Sequence, residues 1–121
     1  MSSIRRIILK SKIHNAIVTQ TELTYDGSIT IDGSLLDRVD IFENERVQVV
    51  NLNNGARFET YVIRGKIGAG EICLNGPAAR LGAVGDIIHI LTYATVNEDE
   101  VKQFKPSIIT LNEKNEVVRE I

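Results

Sequence analysis

A chain of 121 residues has room for one domain and not comfortably for two, and with 43% apolar content but only three Phe, three Tyr and no Trp, its core must be mostly aliphatic. A formal net charge of -2 without any long Lys/Arg block argues against a phosphate-tracking surface, and so against nucleic acid as a partner. Cys73 is the only cysteine, which excludes an intrachain disulfide and fits a reducing cytosol. No apolar run approaches the roughly 18 residues needed to cross a membrane, and the run after Met1 is too short for a signal-peptide core; the expected location is the cytoplasm.

Residues 4–10 read as a strand with a basic edge, and residues 15–20 as a second extended run rich in β-branched side chains. Lys12 and His14 lie two apart, so on a strand both leave the same face; spacing alone favours a solvated edge with a hydrogen-bonded histidine. Residues 22–25 lead to Asp26-Gly27, a turn signal in which Gly takes positive φ without steric cost. From Ser28 to Asp32 polar and apolar residues alternate, predicting a half-buried strand that begins at the serine. A hydroxyl directly after glycine can attack the preceding carbonyl, because no Cβ shields that carbon. Taken alone, however, Gly27-Ser28 is an ordinary hairpin.

Residues 33–37 predict a short helix with Ser34 as N-cap and Asp37 as its capping-box partner, followed by a turn at 43–45. Residues 46–52 and 56–63 form a predicted hairpin about Asn53-Asn54-Gly55. On the returning strand Arg57 and Tyr61 share a face, while Thr60 points the other way. The glycine-rich connection 65–70 matches neither GxGxxG nor a Walker loop. A strand over 71–74 ends in Asn75-Gly76-Pro77-Ala78-Ala79-Arg80, where Pro77 suits a first helical turn and small residues let a ligand approach the backbone. Residues 87–91 are the most apolar strand, predicted central, with His89 a core or interface histidine. A short acidic helix over 97–101 and strands over 107–111 and 116–121 complete the pattern. The sum is one mainly β domain, residues 1–121, with seven or eight short strands and two or three short helices, arranged as a barrel.

Several motifs in order resemble one known family: Lys12-Ile13-His14, Tyr25-Asp26-Gly27-Ser28 with Ile31-Asp32, Asn54-Gly55-Ala56-Arg57-Phe58 with Thr60-Tyr61, Asn75-Gly76-Pro77-Ala78-Ala79, and Val84-Gly85-Asp86-Ile87. Singly they are weak; at this spacing and length the chain resembles the bacterial aspartate 1-decarboxylases. The resemblance implies a double-psi β-barrel assembled as a homotetramer with active sites between subunits. It implies decarboxylation of L-aspartate to β-alanine for pantothenate and coenzyme A. Self-cleavage would give a β chain of residues 1–27 and an α chain of residues 28–121, with Ser28 becoming a covalent pyruvoyl group that forms a Schiff base with substrate. That group would replace pyridoxal phosphate, and no metal is implied.

By the same resemblance, Gly27, Ser28 and Thr60 serve self-processing, with Thr60 as donor to the Gly27 carbonyl, and Tyr61 is the proton donor. Arg57 and Lys12 hold substrate carboxylate, Asn75, Gly76 and Ala78 line its pocket, and His14 and Tyr25 close it. Pro77 stands where alanine occurs in family members and lacks a backbone N–H to donate. A maturation factor is a candidate partner. Two other readings stay open: a non-catalytic β-barrel binding module with an uncleaved Gly-Ser hairpin, and a pyruvoyl enzyme for another amino acid, against which the pairing of Arg57 with Lys12 argues.

Overall fold

Ile and Val, stiff at χ1 and suited to a pleated surface, dominate the strand-forming stretches and set the architecture. The computed structural model describes residues 2–121. Among them are nine strands: β1 (Arg5–Ile17), β2 (Gln20–Glu22), β3 (Ser28–Asp32), β4 (Arg46–Asn51), β5 (Arg57–Gly65), β6 (Ile72–Asn75), β7 (Ile87–Asn97), β8 (Ser107–Leu111) and β9 (Val117–Glu120). One α-helix, α1 (Gly33–Val39), and two 3-10 turns, Gly76–Arg80 and Glu98–Glu100, complete it.

The two runs expected at the N-terminus are one 13-residue strand. It keeps its pairing with β7 by absorbing two register shifts, between Leu9 and Ser11 and between Ile13 and Ala16. The second lies at Asn15, whose φ of 64° is a conformation asparagine tolerates better than most residues. The count of nine strands exceeds the seven or eight expected: β2 is an added short strand, although β1 merges two expected runs into one.

The strand order is β2-β6-β3-β5-β4-β7-β1-β8-β9. β6 lies between β2 and β3, parallel to the first and antiparallel to the second. The turn at Asp26-Gly27 therefore does not close a hairpin; the strands on either side of it never pair. Gly27 also lies outside the positive-φ region expected of a turn glycine.

β3 is more buried than its alternation predicts. Ile29 and Ile31 are inaccessible in the core, while Ser28 and Asp32 on the opposite face are also covered. Asp32 explains one end: its carboxylate accepts from Ser34 N at 2.8 Å, Ser34 Oγ at 2.7 Å, Gly68 N at 3.1 Å and Gly70 N at 2.7 Å. Asp32, not Ser34, is thus the N-cap of α1. Asp37 is no capping partner either; it forms a two-pronged pair with Arg64, both contacts at 2.9 Å. An ionised carboxylate one residue before the helix satisfies more orphan donors than a hydroxyl can, so it wins the cap.

The 53–55 turn joins β4 and β5 as expected, pairing Arg46 with Tyr61 and Val50 with Arg57. β7 is interior, between β4 and β1. Fully buried Ile13, Ile31, Leu36, Leu74, Ile90 and Ile109 come from β1, β3, α1, β6, β7 and β8. One core shared by strands from the whole sheet order requires the sheet to curl into a small barrel-like body, and each such side chain contributes about 1.5–3 kcal/mol.

Candidate active site

Ser28 opens β3 opposite Asn75, the last residue of β6, and two positions along Thr30 lies opposite Cys73. Alternation sends all four side chains to one face of the antiparallel pair. Asn75, fully buried, donates through Nδ2 to Ser28 Oγ at 2.9 Å and to Thr30 Oγ1 at 3.0 Å, and its Oδ1 accepts from Cys73 Sγ at 3.2 Å. Both amide hydrogens and the amide oxygen are therefore used. Burial, reinforced by the charges of Glu71 and Glu22, pushes the Cys73 thiol up from its ordinary pKa, which keeps the S–H protonated as a donor. Ser28 itself is 1% exposed. A buried hydroxyl that accepts a hydrogen bond from a fixed amide is oriented, and its alkoxide form is favoured.

Two hollows meet beside this group, and Tyr61 belongs to both. One, about 330 Å³, takes in Tyr25, Asp26, Ser28 and Tyr61. The other, about 360 Å³, takes in Gly27, Thr60, Tyr61, Pro77 and Ala78. Tyr61 thus lines a hollow with Ser28, and Thr60 lines one with Gly27. Gly76 has φ of 63°, and a Cβ there would stand 2.4 Å from the Tyr25 carbonyl oxygen and 2.8 Å from Gly27 N. No side chain fits, so the backbone of Gly76 is pressed against residues 25–27. A Cβ on Gly27 would meet Pro77 Cδ at 3.4 Å, an ordinary contact, so space alone does not demand glycine there. A larger hollow, about 420 Å³, lies between α1 and β5, but its Arg64 is already closed on Asp37 and it holds no nucleophile. Size does not locate the chemistry here.

The cations stand elsewhere. Arg57 begins β5 four residues before Tyr61, about 13 Å along an extended strand. It is exposed, and its guanidinium donates to Gln48 Oε1 at 2.9 Å. Lys12 is on β1, paired across to Leu91 of β7 and Ile108 of β8. Neither enters a salt bridge among the described residues. His14 stacks on His89, ring centroids 4.0 Å apart and planes 16° from parallel, while His89 Nδ1 accepts from Asn15 N at 3.1 Å. His89 is thus the hydrogen-bonded histidine its strand predicted. Burial, then the charges of His14 and Lys12, lower its pKa to about 4, and burial with Lys12 lowers that of His14. Lys12, His14 and Arg57 line neither hollow at Ser28. Within one protomer the structure brings together Tyr25, Gly27, Ser28, Thr60, Tyr61, Asn75, Gly76 and Ala78, and leaves those three apart.

The aspartate decarboxylase family model matches residues 4–118 of this chain. The chain belongs to the aspartate decarboxylase family. Its relatives in that family include the aspartate 1-decarboxylase of Staphylococcus epidermidis, 57% identical over 116 residues, which are 96% of this chain and 91% of the relative. That of Thermoanaerobacter pseudethanolicus is 55% identical over 114 residues, 94% of this chain and 97% of the relative. That of Halalkalibacterium halodurans is 56% identical over 113 residues, 93% and 89% of the two chains.

In this member of the aspartate decarboxylase family, Ser28 is held still, sheltered and beside an open hollow. Asn75 fixes its hydroxyl, burial shelters it, and the hollow it shares with Tyr61 lies alongside. No group of three or more metal-ligating side chains occurs among the described residues. Nor is any helix among them long and apolar enough to cross a membrane. Thr30 and Cys73 are the members of this site that sequence reasoning passed over. The signal was present as two polar residues spaced two apart on each strand, Ser28 with Thr30 and Cys73 with Asn75, but only the register between strands makes it a cluster.

Proposed function

We propose that this protein decarboxylates L-aspartate to β-alanine and CO2, supplying β-alanine for pantothenate, after cutting its own chain between Gly27 and Ser28. The observation that carries the reading is the buried Ser28 hydroxyl, fixed by Asn75 directly after an unshielded glycine carbonyl and open to the hollow that holds Tyr61. In the cleavage, Ser28 Oγ bonds to the Gly27 carbonyl carbon as the Gly27–Ser28 C–N bond breaks, and the hydroxyl proton passes to the freed nitrogen. Elimination then gives up the Ser28 Cα proton to water and breaks the Cβ–Oγ bond, leaving Gly27 as a carboxylate and residue 28 as dehydroalanine. Water hydrolyses its imine tautomer to a ketone and ammonia. Thr60, which lines the Gly27 hollow, is positioned to donate to the developing oxyanion.

A pyruvoyl ketone at position 28 supplies the electron sink that amino-acid decarboxylation needs and that no side chain offers. The chain's own residues do the rest. Arg57 holds the retained carboxylate with its planar fork, Lys12 adds a second charge, and Tyr61 delivers a proton to the carbon that lost CO2. Asn75, Gly76 and Ala78 line the pocket beside residue 28, with Tyr25 and His14 closing it. Because Arg57, Lys12 and His14 stand apart from Ser28 in one protomer, they act on a neighbouring copy's Ser28 in a homotetramer. Intact mass under denaturing conditions tests the cleavage, with Ser28→Ala as control. Fragments of residues 1–27 and 28–121, the second one ammonia lighter than a serine-started chain, are expected from the native sequence and one uncut chain from the variant. A native chain that stays whole, even with cell extract added as a source of maturation factor, removes the reading.

A further inference from the structure

The site residues inherited by resemblance include Asn75 but not the two groups that dictate how its amide faces. An asparagine carboxamide can be placed either way round, and only its neighbours decide between NH2 and oxygen. Here the deciding neighbour is Cys73, opposite Thr30 in the β3–β6 ladder. A thiol is a donor, if a weak one, and a poor acceptor. With Cys73 S–H on Oδ1, the NH2 of Asn75 turns to Ser28 Oγ and Thr30 Oγ1. Reversed, the amide would point N–H at sulfur and lose a good acceptor in a place without water access, since Asn75 is 0% and Cys73 3% exposed. Thr30 takes the second amide hydrogen, which pins the amide plane as well as its direction.

We infer that Cys73 and Thr30 are positioning residues: they lock the Asn75 carboxamide with its NH2 toward Ser28 Oγ, and so set the orientation of the hydroxyl that attacks Gly27. Neither touches the reacting carbonyl; each acts through Asn75. The consequence for the chain rests on the self-cleavage proposed above, whereas the geometry of the four-residue group does not. Asn75 and Cys73 are buried, and every hydrogen-bonding group of the amide is used, so the lock holds before any substrate arrives. It also gives the single cysteine a use other than a disulfide: a small donor of low acidity at a buried position of β6.

Two measurements on the full chain test this. The first is the rate of cleavage by intact mass for Cys73→Ala, Cys73→Ser, Thr30→Val and Thr30→Ser, each checked by its melting curve. Ala and Val remove one neutral hydrogen bond and are expected to slow cleavage roughly two- to tenfold, while the hydroxyl of each Ser variant restores it to within about twofold. A purely structural role would instead follow the melting temperature. Native-rate cleavage in Cys73→Ala and Thr30→Val, or no rescue by serine, overturns the inference.

The second is the infrared S–H stretch, which in a chain with one cysteine belongs to Cys73 alone. A band shifted to the hydrogen-bonded side, returning toward the free-thiol position in Asn75→Ala, supports the lock; a free-thiol band in the native protein overturns it. Should the native chain stay whole, it is the self-cleavage reading that fails, and the infrared band still decides whether the lock exists.

Discussion

The polar face where β3 meets β6 and the separate cations of β1 and β5, Lys12 and Arg57, are built to opposite specifications. On the first, Ser28, Cys73 and Asn75 are buried and Thr30 half-buried, and the one carboxamide uses every hydrogen-bonding group on the other three. On the second, Arg57 is exposed and makes one contact to a neutral amide, and Lys12 enters no salt bridge among the described residues. A buried polar group must be satisfied within its own chain, since leaving it unpaired costs about 1–3 kcal/mol. An exposed cation pays no such penalty and is free to meet an anion or a second chain. The difference teaches that the chain finishes the polar group at Ser28 within itself and leaves its cations Arg57 and Lys12 without an anionic partner among the described residues, as the proposed division of labour between copies requires.

The sharpest way to break that comparison is subunit mixing. Ser28→Ala and Arg57→Ala are each expected to be nearly inactive alone, whereas a tetramer reassembled from equal parts recovers about a quarter of native activity if each site draws Ser28 and Arg57 from different copies. No recovery would place both residues in one protomer's site. Next in size, Arg57→Ala is expected to raise the KM for aspartate about 100-fold, and Arg57→Lys about tenfold because the point charge lacks the bidentate fork. An unchanged KM in steady-state kinetics would dismiss Arg57 as the carboxylate clamp.

Asp32 probes the other end of β3. Its carboxylate caps α1 and ties down the glycine-rich loop through four hydrogen bonds, so Asp32→Ala is expected to cost about 2–4 kcal/mol in denaturant unfolding. Asp32→Asn, which keeps the shape and loses the charge, should cost less. If Asp32→Ala unfolds at the native midpoint, β3 is not anchored there.

The smallest expected effect is on pH. His89, stacked on His14, has its pKa depressed to about 4, first by burial and then by His14 and Lys12. The unfolded chain, with a histidine near pH 6.5, therefore binds the proton first as pH falls. Stability is full above about pH 6.5 and is lost between there and pH 4, by about 1 kcal/mol once partial exposure is allowed for. Asp32 acts lower: burial raises its pKa, but hydrogen bonds from Ser34, Gly70 and Gly68 outweigh it and hold it below the usual value. Its contribution is present above the unfolded aspartate pKa and lost as pH falls through the lowered one. Urea midpoints at a series of pH values should show the upper loss shrink in His89→Gln, the remainder belonging to His14, whose pKa burial and Lys12 also lower; an undiminished loss would mean that His89 does not titrate there.

Taken by itself, the sequence determines what depends on near neighbours along the chain. Period-two alternation marks β3 and its start at Ser28, Asn53-Asn54-Gly55 marks the β4–β5 hairpin, and Arg57 and Tyr61 are placed on one face with Thr60 on the other. The ordered motifs identify the family. What it misjudges are competitions between partners. Ser34 and Asp32 both suit an N-cap, and the charged group with more donors in reach prevails; Asp26-Gly27 looks like a hairpin until β6 takes the edge of β3 that β2 would have used. Only the tertiary structure decided that Thr30 lies opposite Cys73 and Ser28 opposite Asn75, and that Lys12 and Arg57 stand away from them. Strand register and strand order are chosen by contacts between residues tens of positions apart, and no local rule along the chain records which strand will win an edge.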